Sequence, residues 1–108
     1  MSTSIDFITY VCDQIQDTGN ISYKKLFGEY MVYVNNKPIL LVCNNCIYVK
    51  MYPELKDILK DCPRGIPFYW AIEDYMLDVD DRELLIRVVN LLEPIIVVPY
   101  KKHKREVN

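Results

Sequence analysis

The chain is poor in the residues that most often carry chemistry. Its 108 residues include one histidine and three glycines. His103 lies in a Lys-Lys-His-Lys-Arg run near the C-terminus, where nothing can hold it within hydrogen-bond reach of a nucleophile, so no histidine-based triad can be built. Gly19, Gly28 and Gly65 are too widely spaced for either glycine-rich phosphate cradle, G-x-x-x-x-G-K-[ST] or G-x-G-x-x-G. No apolar run approaches the about 20 residues that span a bilayer, and Met1-Ser2-Thr3-Ser4 opens without a charged n-region. A cytoplasmic protein making no membrane contact is expected. Internal repeats and low-complexity linkers are missing too, which leaves one domain over residues 1–100 and a basic tail, expected to be disordered, over 101–108.

What is present suits a small globular domain. Hydrophobic residues make up 51% of the chain and charged residues 26%, and a domain of this size buries roughly 60–70% of the surface its unfolded chain exposes. Four cysteines, Cys12, Cys43, Cys46 and Cys62, are expected as free thiols in a reducing compartment. Cys43-Asn44-Asn45-Cys46 could supply two corners of a zinc site, but Cys12, Cys62 or His103 would have to complete it without the paired spacing of known knuckles. A redox dithiol needs a helix start to lower a thiol pKa, and this pair sits between strands. The acidic cluster from Glu73 to Glu83 fails as a calcium loop: starting at Asp78, Arg82 and Glu83 fall where an oxygen ligand and a glycine belong, and Val89 replaces the bidentate glutamate. No cofactor and no metal are expected.

The periodicities predict an α+β fold. Ile5, Ile8, Val11, Cys12 and Ile15 recur at helical steps behind a Thr3 or Ser4 cap, with Gly19-Asn20 as the stop. From Leu26 to Met51, LFGEYMVYVNNKPILLVCNNCIYVKM, a period of two sets Tyr30, Val32 and Val34 against Glu29, Met31 and Tyr33, and Ile47, Val49 and Met51 against Cys46, Tyr48 and Lys50, with breaks at Asn35-Asn36 and Asn44-Asn45, whose tolerance of positive φ suits tight hairpin turns. Gly28 is read as a bulge or a close backbone approach. Pro53 opens a predicted second helix through Leu55, Ile58 and Leu59 to Cys62-Pro63. Phe68 to Ile72 and Tyr75 to Leu77 read as one or two further strands. Asp80 and Glu83 form a capping-box-like start to a last helix whose apolar face is Leu84, Leu85, Val88, Leu91 and Leu92, and Pro94 ends or kinks it ahead of the β-branched Ile95 to Val98.

The spacing LFGEY, Tyr33, NNKP and NNCIYVK resembles the N-terminal domain of the TfoX/Sxy family, bacterial proteins associated with regulation of competence. Gly28, Tyr30, Tyr33, Lys37 and Lys50 fall where that strand motif would place them, and DVDDRELLIRVV (Asp78 to Val89) resembles the acidic start of that domain's last helix. The likeness runs from about Ile5 to Leu92. It implies a two-layer fold, an antiparallel sheet with three helices packed on one face, similar to type III secretion chaperones. It also implies a nonenzymatic regulatory or adaptor module acting through protein contact in transcriptional regulation of competence or a related process. Longer members of the family carry a further C-terminal domain.

Three helices on one face leave the other to water or a partner. Met31, Tyr33 and Tyr48, with Ile95, Ile96, Val97 and Val98, are the candidate interaction surface, for a homodimer or an unidentified protein partner. A competing reading is an enzyme or small-ligand binder whose pocket joins Tyr30, Tyr33, Tyr48, Lys50 and Trp70. Phe68-Tyr69-Trp70 as a base-stacking platform is weakened because a strand points Tyr69 away from its neighbours.

DNA contact is expected to be weak at most. Residues 1–100 hold nine basic and fourteen acidic side chains, a net of −5, whereas the tail holds four basic and one acidic, a net of +3. Only Lys101, Lys102, Lys104 and Arg105 of the tail and the Lys24-Lys25 pair could attract a duplex, through salt-sensitive contacts that do not read sequence. Deleting residues 101–108 should abolish any binding to duplex DNA in a gel-shift titration. A sequence-specific complex that survives physiological salt after the deletion would instead place a DNA site on the folded body.

Overall fold

The computed structural model describes residues 3–26, 28–68 and 71–99. In chain order these form α1 (Ile5–Gln14), β1 (Ile21–Leu26), β2 (Glu29–Val34), β3 (Lys37–Cys43), β4 (Cys46–Val49), β5 (Arg64–Gly65), β6 (Asp74–Leu77) and α2 (Arg82–Leu92), with 3-10 turns at Gln16–Thr18 and Pro53–Leu55. The strands make one antiparallel sheet in the order β1-β2-β3-β4-β6-β5. An α+β fold was legible, and Ser4 caps α1 by accepting a hydrogen bond from the Phe7 amide at 3.1 Å.

Both asparagine pairs form two-residue hairpin loops. Asn35 and Asn36 have φ of 53° and 67°, and Asn44 and Asn45 have 51° and 57°, the left-handed pair that matches the twist of flanking strands. Asn35 does more than turn the chain. Its Oδ1 accepts from the Asn20 amide at 2.9 Å, its own amide donates to the Asn20 carbonyl at 2.8 Å, and its Nδ2 donates to Glu93 Oε2 at 3.3 Å. Gly19 is required beside it, because a Cβ there would lie 2.9 Å from Asn35 Oδ1 and Nδ2.

Alternation then assigns every strand residue to a face. Lys25, Tyr30, Val42, Ile47 and Leu77 pair in one row across five strands, and Tyr23, Val32 and Leu40 in another. Apart from Lys25 and Tyr23 on the exposed outer strand, these rows join the core with Ile8, Val11 and Ile15 from the first helical segment, Leu55 and Leu59, and Leu85, Val88, Val89 and Leu92 from α2. Helices and turns thus cover one face. Each fully buried leucine or isoleucine there contributes about 1.5–3 kcal/mol by leaving water.

Four expectations need correction. The predicted second helix is a 3-10 turn at Pro53–Leu55 followed by helical turns, so two α-helices, not three, pack on the sheet among the described residues. Pro63 disfavours helical backbone at Cys62 and so closes the segment, although Leu55 and Leu59 are still buried. Phe68 to Ile72 is not a strand where it is described: Phe68 and Ala71 lie in bends and Ile72 is 80% exposed. The strand beside β6 is the two-residue β5 instead. Gly28 is a turn residue with φ of 84° between β1 and β2, and the bulge lies further on, where pairing shifts from Val32–Leu40 to Tyr33–Pro38 and leaves Ile39 unpaired. Pro38 has no amide to donate, so the ladder breaks beside it. Finally, Asp81, not Asp80, caps α2, accepting from the Leu84 amide at 3.2 Å. Asp80 accepts from the Tyr10 hydroxyl at 2.8 Å instead.

Asn35→Ala removes a left-handed former and three side-chain or turn-dependent hydrogen bonds, and should cost about 1–3 kcal/mol in urea unfolding. Asn36→Gly, at an exposed position with positive φ, should stay within about 0.5 kcal/mol of the parent.

Candidate functional site

The sheet face without helices carries a second row, Lys24, Met31, Leu41, Tyr48 and Met76, each paired with the next. Burial changes along it. Lys24 is exposed, Met31 and Leu41 are half-buried, and Tyr48 is 7% exposed. The parallel row Ser22, Tyr33 and Pro38 ends this face on the β1 side, where the Lys24 ammonium lies 5.7 Å from the Tyr33 ring centroid, a cation–π contact. The open part is therefore the β1–β2–β3 side. Toward β6, Gly65 lies so close that a Cβ there would sit 2.7 Å from Met76 Sδ and 3.6 Å from Tyr48 Cε2.

Of the predicted interaction residues, Met31 and Tyr33 share the open face and Tyr48 is on the same face but buried. Tyr48 is removed as a contact residue by that burial. Ile96 packs against the core on the helix side, while Ile95, Val97 and Val98 are exposed at 43%, 76% and 49%. The candidates thus fall in two separate patches, the open sheet face and the segment after α2. The strand β1 adds a third element: five of its six residues are exposed, and it is the outer strand of the sheet. Lys101, Lys102, Lys104 and Arg105 lie outside the described residues.

The tyrosine-lined pocket is not assembled. Tyr30 faces the helices, Tyr33 and Tyr48 face the other way, Lys50 follows β4 in an exposed position, and Trp70 lies outside the described residues. Tyr30 instead meets Tyr23 edge-to-face at 5.4 Å.

The thiols are free. Cys43 and Cys46 face each other across the second hairpin, and burial, with the Glu29 charge next, pushes the Cys43 thiol up to about 11, the opposite of an activated dithiol. Cys46 and Cys62 share the wall of a cavity of about 420 Å³ with Asp61, Asp78 and Asp81. Among the described residues no group of three or more His, Cys, Asp or Glu side chains is arranged to hold a metal ion.

Sequence reasoning missed two features. Asp74 on β6 is 7% exposed, and burial raises its pKa while the Lys50 charge acts to lower it. A cavity of about 280 Å³ beside the Pro53 turn gathers Lys56, Lys60 and Arg64 with Tyr52 and Tyr75. The four-residue spacing of Lys56 and Lys60 was a visible signal, but Arg64 and Tyr75 join them only through the β5–β6 pairing.

The chain matches no protein-family model. It is 25% identical over 93 residues, covering 82% of this chain and 81% of the relative, to the uncharacterized 12.7 kDa protein in the trpE 5′ region of Spirochaeta aurantia. No helix among the described residues is long and apolar enough to cross a membrane.

Because the folded-state pKa of Asp74 is raised, its charged form is disfavoured by folding. Stability from this group is full below the ordinary aspartate value of 3.8 and is lost as pH rises through the raised one. Asp74→Asn should therefore raise the urea midpoint at pH 7 relative to the parent, with no gain at pH 3. A lower midpoint at pH 7 would mean that the carboxylate's attraction to Lys50 outweighs its desolvation.

Proposed function

We propose that the chain is a nonenzymatic regulatory or adaptor module that works by contact with another protein. The observation supporting this most is the half-covered sheet: among the described residues, Met31, Tyr33 and Leu41 are partly exposed on a face that carries no helix, next to an outer strand whose far side is unpaired. Such an edge can accept an extended segment by backbone hydrogen bonds while the neighbouring face supplies side-chain contacts. Lys24 and Lys25 on that strand discourage indiscriminate edge pairing and favour a partner segment with acidic residues. The exposed Val97 and Val98 offer a second apolar contact.

The finer reading, transcriptional regulation of competence or a related process in the cytoplasm, rests on the resemblance to the TfoX/Sxy N-terminal domain, as does the secretion-chaperone-like class of the fold. An enzymatic role has less support, because the side chains proposed for its pocket are divided between two faces of the sheet.

Sedimentation over a range of concentrations, with Tyr33→Glu and Val97→Glu as separate variants, tests the contact surfaces. Concentration-dependent association abolished by one substitution, with the fold intact, identifies a homodimer and its face. Loss of a partner recovered from the host on either substitution identifies a heterologous surface. A protein that stays monomeric and whose variants keep every recovered partner has neither surface in use.

A further inference from the structure

Positive charge collects in one cavity of a chain whose net charge is −2. Lys56 and Lys60 project from the helical turns after Pro53, where the Leu59 amide donates to the Leu55 carbonyl at 2.9 Å and puts residues four apart on one side. Arg64 reaches the same wall from β5, which pairs with Tyr75 of β6. Among the described residues no carboxylate lines the cavity. Glu73 approaches Arg64 at 3.9 Å, a long contact between two half-exposed side chains, and it stands outside the wall. Three like charges beside low-dielectric protein repel one another, and among the described residues the long Arg64–Glu73 contact is the one ion pair that offsets any of them.

A second observation is independent of charge. Tyr75 lines the cavity although it is 5% exposed, and among the described residues its hydroxyl has no hydrogen-bond partner. Buried hydroxyls are almost always satisfied, since leaving one unpaired costs the hydration it had in the unfolded chain. Tyr75 shares the wall of this cavity with Lys56, Lys60 and Arg64. An acceptor bearing negative charge answers both demands.

We propose that this cavity binds the phosphate group of a small phosphomonoester. Arg64 and the two lysines neutralise the dianion, the Tyr75 hydroxyl donates to one of its terminal oxygens, and the half-buried Tyr52 ring flanks the organic part. A phosphate presents three terminal oxygens, enough for a guanidinium fork, two ammonium groups and a phenol. The volume of about 280 Å³ lies just below the range of roughly 300–1,000 Å³ typical of sites for drug-sized ligands. It suits one phosphate with a small organic group. The site is on the helix-covered side of the sheet, opposite Met31 and Tyr33, and does not depend on the adaptor reading.

Calorimetry and amide chemical-shift titration of the full chain with phenyl phosphate, inorganic phosphate and phenol test this. Phenyl phosphate should bind with one-to-one stoichiometry and more tightly than either fragment, with the largest shifts at Tyr52, Lys56, Lys60, Arg64 and Tyr75. The exposed Lys60→Gln should weaken it about tenfold and Tyr75→Phe about threefold to tenfold, both without loss of the fold. Three results would overturn the proposal: no saturable binding of phenyl phosphate or phosphate at millimolar concentration, shifts centred away from these residues, or affinity unchanged in both variants. Tighter binding of a single-stranded oligonucleotide or of phosphatidylserine vesicles, unaffected by Tyr75→Phe, would also overturn it and assign the cations to a polymer or lipid surface.

Discussion

Two asparagine pairs set the geometry on which the rest of the molecule depends. Because Asn35-Asn36 and Asn44-Asn45 are both left-handed, each loop holds two residues and the flanking pairs, Val34 with Lys37 and Cys43 with Cys46, are fixed. A slip of one residue would carry Val42 and Ile47 to the face without helices and remove their share of the core. Register is therefore specified locally, at the turns, and confirmed globally by what it buries. Asn35 links the two scales, since the side chain of the turn residue also ties the start of β1 to Glu93 at the end of α2. The Lys37 ammonium reinforces that junction, donating to the Glu93 carbonyl at 2.7 Å and pairing with its carboxylate at 3.0 Å.

The bulge at Ile39 is the second constraint. With uninterrupted pairing from Val34–Lys37, Ile39 would oppose Val32, and Leu40 and Val42 would turn away from the helices. The extra residue reverses that parity. Leu40 and Val42 face the core, Ile39 is buried beside them, and Leu41 takes its place in the row that contains Met31 and Tyr48. A proline inside a central strand is costly unless the ladder is already broken, so Pro38 and the bulge account for each other.

The limits of sequence reading follow from the same physics. Turns, caps and amphipathic helices depend on residues a few positions apart, which is why Asn44-Asn45, Ser4 and the α2 stripe were legible. Leu55 and Leu59 gave a correct burial and an incorrect helix, because a four-residue spacing puts two side chains on one side of a single turn as well as of a helix. The aromatic run at Phe68 reads as strand by propensity, yet β6 pairs with Arg64–Gly65, a choice made by which backbone edge is free. Alternation puts Tyr48 on the open face but reports nothing of what lies over it, and Tyr48 is buried there. Counting charge by stretches of chain hid the cavity in the same way: Lys56 and Lys60 are balanced in sequence by Glu54, Asp57 and Asp61, and only tertiary pairing separates the signs.

That separation divides the molecule into two sides with different capacities. The helix-covered side holds the core and, at the β5–β6 edge, a small basic cavity floored by Tyr75. The other side offers a half-buried apolar face and, at the opposite end of the sheet, the outer strand β1. Between them lie β3 and β4, with Leu40, Val42, Ile47 and Val49 each no more than 1% exposed. Packing this dense does not deform continuously, and sites with no shared partners act additively. Contact through Tyr33 and occupancy beside Lys60 are therefore expected to be energetically independent, so that a partner on the open face reads the protein's presence rather than its ligand state.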